Sequence, residues 1–137
     1  MEFHSLSNNN ASIGALAEID ACEFLEKCGL KLIEKNFTVI NESGIKTGEI
    51  DLIMRDKQFL VFVEVKKRGR EDYGDVLEMV TKHKQSQIIR TATHYLVRTY
   101  QYHNTHCRFD VVGISPDKKE PNNQKIEWIK DAFQVQY

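Results

Sequence analysis

The sequence predicts a single α/β domain built on a mixed sheet, and three observations carry that expectation. Phe59-Leu60-Val61-Phe62-Val63 is an unbroken apolar run. Such a run marks a strand covered on both faces, central in a sheet with helices packed against it. Ahead of it, Ile13, Ala17, Ala21, Phe24, Leu25 and Cys28 recur at helical spacing. After it, Val80, Ile88, Ala92, Tyr95 and Leu96 supply a second apolar helix face. The order that results is helix–strand–strand–strand–helix–strand, closed by an optional edge strand.

Each element has its own local signals. Residues 1–11, with Ser5, Ser7 and three successive asparagines, are expected as a mobile tail, and residues 12–137 as the single domain. Ser12 is placed to cap a helix that runs to about Cys28, where Gly29 stops it. Leu30 to Ile40 reads as a strand, and Asn41-Glu42-Ser43-Gly44 as the turn after it. Gly48 to Met54 and Phe59 to Lys66 form a hairpin across an expected turn at Arg55-Asp56-Lys57-Gln58. A long helix is expected over Val76 to Tyr100, and a strand over Arg108 to Ile114. Ser115 to Gln124 holds both prolines and reads as a surface loop; Lys125 to Ile129 is a candidate edge strand, with Asp131-Ala132-Phe133 as a closing turn.

Composition excludes several classes of function. With 41% hydrophobic and 28% charged residues the chain is globular and not disordered. No stretch approaches the roughly 18 consecutive apolar residues of a membrane span, and Met1-Glu2-Phe3-His4-Ser5 lacks the basic start and apolar core of a secretory signal. A cytoplasmic protein is expected. Cys22, Cys28 and Cys107 form no Cys-x-x-Cys pair and read as reduced thiols acting as small hydrophobes. The five histidines add no zinc spacing, and His103 and His106 are expected in a loop. A net charge of −1 argues against coating nucleic acid by bulk electrostatics. Even so, Lys66, Lys67, Arg68 and Arg70 crowd together after the apolar strand, with Lys82, Lys84 and Arg90 beyond. That crowding is either a phosphate-binding edge or an ordinary solvated strand end.

The candidate chemistry sits on the hairpin. Glu64 and Lys66 end the most buried strand and share a face, about 6.6–6.8 Å apart along it. A buried acid without a partner costs several kcal/mol, and a metal ion would offset that. Pairing Arg55 with Gln58 puts Asp51 opposite Phe62 and diagonal to Glu64, on the same face; it sets Glu49 opposite Glu64, a like-charge contact that is unfavourable without a cation. Carboxylates suit Mg2+ or Mn2+ better than zinc. Such an ion activates water and stabilises charge on a phosphoryl group, and a nearby lysine orients the water or neutralises the transition state. The competing reading is an internal salt bridge between Lys66 and Asp51 or Glu64. On the helices, Lys84 rides the apolar face between Val80 and Ile88, and Glu18 borders the first buried stripe. Each is equally read as a snorkelling or solvated flank residue.

Asp51, twelve residues, then Glu64-Val65-Lys66 resembles the PD-(D/E)xK nuclease signature, with Ile50 in place of the proline. The longer context is more specific. Gly48-Glu49-Ile50-Asp51-Leu52-Ile53 and Val61-Phe62-Val63-Glu64-Val65-Lys66 with Arg68 resemble the YraN-like family of small bacterial proteins. So do Asn36, Lys84, Ala92, Tyr95-Leu96, Arg108-Phe109-Asp110-Val111-Val112 and Ala132-Phe133, and the likeness covers roughly residues 12 to 135. One departure is visible: Gly14 is a residue out of step, and Ala17 stands before Glu18 where the family has glycine.

The resemblance implies a restriction-endonuclease-like core, similar also to archaeal Holliday-junction resolvases. It implies metal ligation by Asp51, Glu64 and the Val65 carbonyl, a water-assisting role for Lys66, an outer ligand in Glu18, and phosphate contacts from Lys67, Arg68 and Lys84. The expected activity is a Mg2+- or Mn2+-dependent endonuclease acting on nucleic acid, DNA ahead of RNA, with branched and single-stranded DNA among its substrates. A resolvase-like role favours a two-fold homodimer. A non-catalytic nucleic-acid-binding module and a protein-interaction domain are the alternatives on the same fold.

Overall fold

The computed structural model describes residues 9–69, 74–117, 119–120 and 123–135. Residues 1–8 of the expected tail, and Arg70, lie outside them. The elements are α1 (Asn9–Lys27), β1 (Lys31–Ile40), β2 (Lys46–Asp56), β3 (Phe59–Lys67), a single 3-10 turn (Val76–Met79), α2 (Lys82–Arg98), β4 (His106–Pro116) and β5 (Gln124–Phe133). The strands form one sheet in the order β1-β2-β3-β4-β5. Every neighbouring pair is antiparallel except β3 and β4, which run parallel with α2 as their crossover. The expected α/β class is therefore the one observed, with the apolar run of β3 at the centre.

Alternation along β3 divides the core into two layers. Leu60 and Phe62 face one way, packing with Ile88, Ala92 and Tyr95 of α2 and with Val76 and Val80 ahead of it. Val61 and Val63 face the other way, against Ala17, Ala21, Cys22 and Leu25 of α1. Each fully buried aliphatic or aromatic side chain contributes about 1.5–3 kcal/mol, which is why the sheet and both helices form one unit. Gly29, at φ 103°, ends α1; Leu30 N–H returns to Leu25 C=O at 3.1 Å, a helix stop that needs the left-handed residue.

Several expectations are corrected. α1 begins at Asn9, so Ser12 lies inside the helix and does not cap it. β2 runs on to Asp56 and the hairpin closes on Lys57-Gln58 alone, with Lys57 at φ 56°. Leu52 thus faces Val63 and Arg55 faces Leu60, a two-residue shift from the expected register. The expected helix over 76–100 is two pieces, because Val80 is extended and Thr81 restarts the chain as an N-cap, its hydroxyl accepting from Lys84 N–H at 3.1 Å. Finally, Asp131-Ala132-Phe133 belongs to β5 and His106 opens β4.

A bulge in β5 opposite Asp110 explains the longer strand. The Asp110 carboxylate is fully buried and takes hydrogen bonds from Arg108 Nε (3.0 Å), Trp128 Nε1 (2.9 Å) and the N–H of left-handed Asp131 (2.9 Å). Arg108 also donates to Asp56 at 2.8 Å. The cysteines are free, with Cys22 buried and Cys107 half-buried as expected, but Cys28 is exposed. No helix among the described residues is long and apolar enough to cross a membrane.

Candidate active site

The two central strands part at Asp51. The β2–β3 ladder ends at the pair Leu52 and Val63. Beyond it the Asp51 Oδ2 accepts the Val65 N–H at 2.8 Å, so a side chain takes the place of a strand partner. Alternation in β2 breaks at the same point. Ile50 packs on the α2 side and Leu52 on the α1 side, although two-residue spacing places them on one face of a regular strand. Asp51 therefore meets Glu64 through this break and not as the diagonal neighbour that the expected register makes of it.

A second irregularity lies across from it. Asn36 adopts φ 53° in β1, between residues that pair with Leu52 and Ile50. Its side-chain amide donates to Glu18 Oε1 at 2.9 Å and to Glu49 Oε2 at 3.0 Å. One oxygen from each of Glu18, Glu49 and Asp51 lies within 4.8 Å of the others. Gly48 makes this possible: a Cβ there would stand 2.0 Å from Thr91 Oγ1, so only glycine lets β2 lie this close to α2.

Three of the four carboxyl groups resist ionisation. Burial first, then the neighbouring Glu64 charge, pushes Asp51 up to about 7. Burial also raises Glu64, against the opposing pull of Lys84, Lys66 and its hydrogen bond with Asp51. Burial thus favours the protonated form at both Asp51 and Glu64. Glu18 is raised by burial, with Asp51 and Glu49 adding to it against the Asn36 hydrogen bond. Glu49 goes the other way: burial raises it, but Lys46 at 2.6 Å, Asn36 and Lys84 outweigh that and lower it.

The cations frame this cluster. Lys66 Nζ stands 3.7 Å from Glu64 Oε2 and is partly exposed. Lys84 acts on Glu64 and Glu49 from the N-terminal turn of α2. Lys67 is exposed at the end of β3. Arg68 donates through Nη2 to Gly74 C=O at 2.6 Å, and its N–H bonds Ile114 C=O at 2.7 Å. Val65 meets Asp51 through its N–H. The structure thus brings Glu18, Asp51, Glu64, Lys66 and Lys84 to one place and leaves Lys67 and Arg68 at its margin.

Glu49 and Asn36 are the members that sequence reasoning left without a role. The signal for Glu49 is the predicted like-charge contact with Glu64. For Asn36 it is only its presence in the family pattern.

Comparison with known proteins adds the lineage. The model of uncharacterised protein family UPF0102 matches residues 17–114. A UPF0102 protein of Nitrosococcus oceani is 43% identical over 123 residues, covering 90% of this chain and 92% of the relative. One of Coxiella burnetii, strain RSA 493, is 44% identical over 125 residues, covering 91% and 94%. One of Alcanivorax borkumensis is 38% identical over 128 residues, covering 93% and 96%.

Proposed function

The chain belongs to the uncharacterised protein family UPF0102, the YraN-like family, and on that premise we propose that it is a metal-dependent nuclease hydrolysing phosphodiester bonds, in DNA ahead of RNA. The observation that carries this reading is the meeting of Glu18, Glu49 and Asp51 oxygens within 4.8 Å, with the Glu64 charge close enough to raise Asp51. Burial still penalises the charged forms of Asp51, Glu64 and Glu18 beyond what Lys46, Lys66 and Lys84 offset, and a bound cation would relieve that penalty.

The donor set, all oxygen, fits Mg2+ or Mn2+; Glu18, Glu49 and Asp51 are half-buried and Glu64 is buried. Asp51 and Glu64 would hold the ion with the Val65 carbonyl, and Glu18 and Glu49 would hold its waters. Bound there, it would lower the pKa of a water and stabilise charge on the scissile phosphate.

The chain's own groups do the rest. The Val65 N–H fixes the Asp51 carboxylate, and the Asn36 amide sets the spacing of Glu18 and Glu49. Lys66, tethered to Glu64, presents an ammonium to an attacking water. Lys84 faces the acids from α2, where it would steady a phosphate oxygen.

One observation favours a second reading, a nucleic-acid-binding module that does not cut. The Asn36 amide and Lys46 already satisfy Glu18 and Glu49 within the protein. Incubation of pure protein with labelled branched, single-stranded and duplex DNA and Mg2+ or Mn2+ separates the two. The nuclease reading requires cleavage that falls at least 100-fold in Asp51→Ala and in Glu64→Ala. DNA binding untouched by both substitutions, with no cleavage of any substrate, gives the site to the binding module.

A further inference from the structure

The two helices that cover the sheet carry opposite charge. α1 holds Glu18, Asp20, Glu23 and Glu26 against Lys27 alone. α2 holds Lys82, Lys84, Arg90 and Arg98, with His83 and His94, and has no acid in its 17 residues. The chain as a whole has 20 acids and 19 bases, so this segregation is not a matter of composition. Of the α2 cations, only Lys84 is directed at the acidic cluster.

The others are laid out in a line. Lys82, Ser86, Arg90, His94 and Arg98 follow one another four residues apart, and all are exposed. That spacing makes one stripe along the helix, about 24 Å long at 1.5 Å per residue. Two shallow grooves open along it and share Arg90, and among the described residues no carboxylate lines either. Nor, among the described residues, is Lys82, Arg90 or Arg98 in an ion pair. The Arg98 guanidinium lies over the Phe37 ring at 5.3 Å, which holds it in place without neutralising it.

We infer that this stripe is a docking track for the sugar–phosphate backbone of DNA, running away from the acidic site along α2. The inference rests on the nucleic-acid reading above and adds where the strand lies. A line of cations separated by hydroxyl and imidazole groups matches the repeated anions of a backbone. The acidic α1 of a second copy is the competing partner. It lies on the opposite face of the sheet, however, so that pairing would be head-to-tail, giving a ring or a filament and not a two-fold dimer.

The test is fluorescence anisotropy of a labelled duplex DNA in chelator, titrated with protein at several salt concentrations. Two double variants remove two charges each: Arg90→Gln/Arg98→Gln, and Lys82→Gln/Arg90→Gln, which spares the Phe37 contact. Each should bind about tenfold or more weakly at the lowest salt and flatten the log–log salt slope by about 2, near 0.9 for each phosphate no longer neutralised. Glu23→Gln/Glu26→Gln, which changes net charge on the other face, should bind no more weakly than wild type. Unchanged affinity and slope in both α2 variants overturn the track and leave the nuclease reading standing. No binding by the wild type at low salt also overturns the track, while the cleavage assay with Mg2+ or Mn2+ decides the nuclease reading separately. Wild-type self-association that the α2 variants abolish, with DNA binding unchanged, overturns the track in favour of a second copy.

Discussion

Asp51→Asn is expected to stabilise the protein in chelator, by an amount that grows with pH. The Asp51 pKa stands at about 7 in the folded chain against an ordinary 3.8. The folded state therefore binds the extra proton between those values. Stability from this group is fully present below pH 3.8 and is lost as pH rises through 7. Three units at about 1.4 kcal/mol each set a ceiling of about 4 kcal/mol at pH 8, and about 2 kcal/mol at pH 5. Because the Glu64 charge contributes to the shift and Glu64 itself titrates, the measured gain will fall below that ceiling. Asparagine keeps an oxygen for the Val65 N–H, so the comparison isolates charge. Urea unfolding of both proteins from pH 5 to 8, at fixed ionic strength, supplies the curve. An Asn variant less stable than wild type at pH 8, or a difference flat with pH, would refute the reasoning.

Three other substitutions probe the framework. Gly48→Ala should cost about 1–3 kcal/mol through its collision with Thr91, and a double-mutant cycle with Thr91→Ala, read by thermal unfolding, should recover part of the loss. Asp110→Ala leaves the Arg108 charge buried with Asp56 as its remaining acid and should cost about 3–5 kcal/mol; a midpoint unchanged in urea would contradict that. Asn36→Gly keeps the left-handed backbone but removes the amide between Glu18 and Glu49. It should fold, lose about 1 kcal/mol in chelator, and gain more stability from added Mn2+ than wild type does, as read by melting temperature.

Much of this arrangement is legible in the sequence because it follows from period and burial. The Phe59–Val63 run names the central strand, and the acid and lysine at its end are out of place for a buried element. The hairpin register differs from expectation by two residues, and Asp51 reaches Glu64 through the broken alternation beyond the Leu52–Val63 pair, which the sequence does not foretell. The turn escapes a sequence reading because Lys57-Gln58 carries none of the usual signals for a positive φ. The break before α2 has a signal in Thr81, outweighed by the apolar periodicity running through Val80. Glu49 and Asn36 are harder to find. Their place depends on the left-handed turn of Asn36 and on the broken alternation at Asp51, both tertiary features with no sequence period.

The most direct test of the central claim is calorimetric titration of Mn2+ into wild-type protein and into Asp51→Asn, in chelator-cleaned buffer near neutral pH. The account predicts saturable binding by the wild type, with proton release seen as a dependence of the heat on buffer, and no such binding by the variant. Equal binding by the two proteins, or none by a folded wild type with or without DNA present, would contradict it.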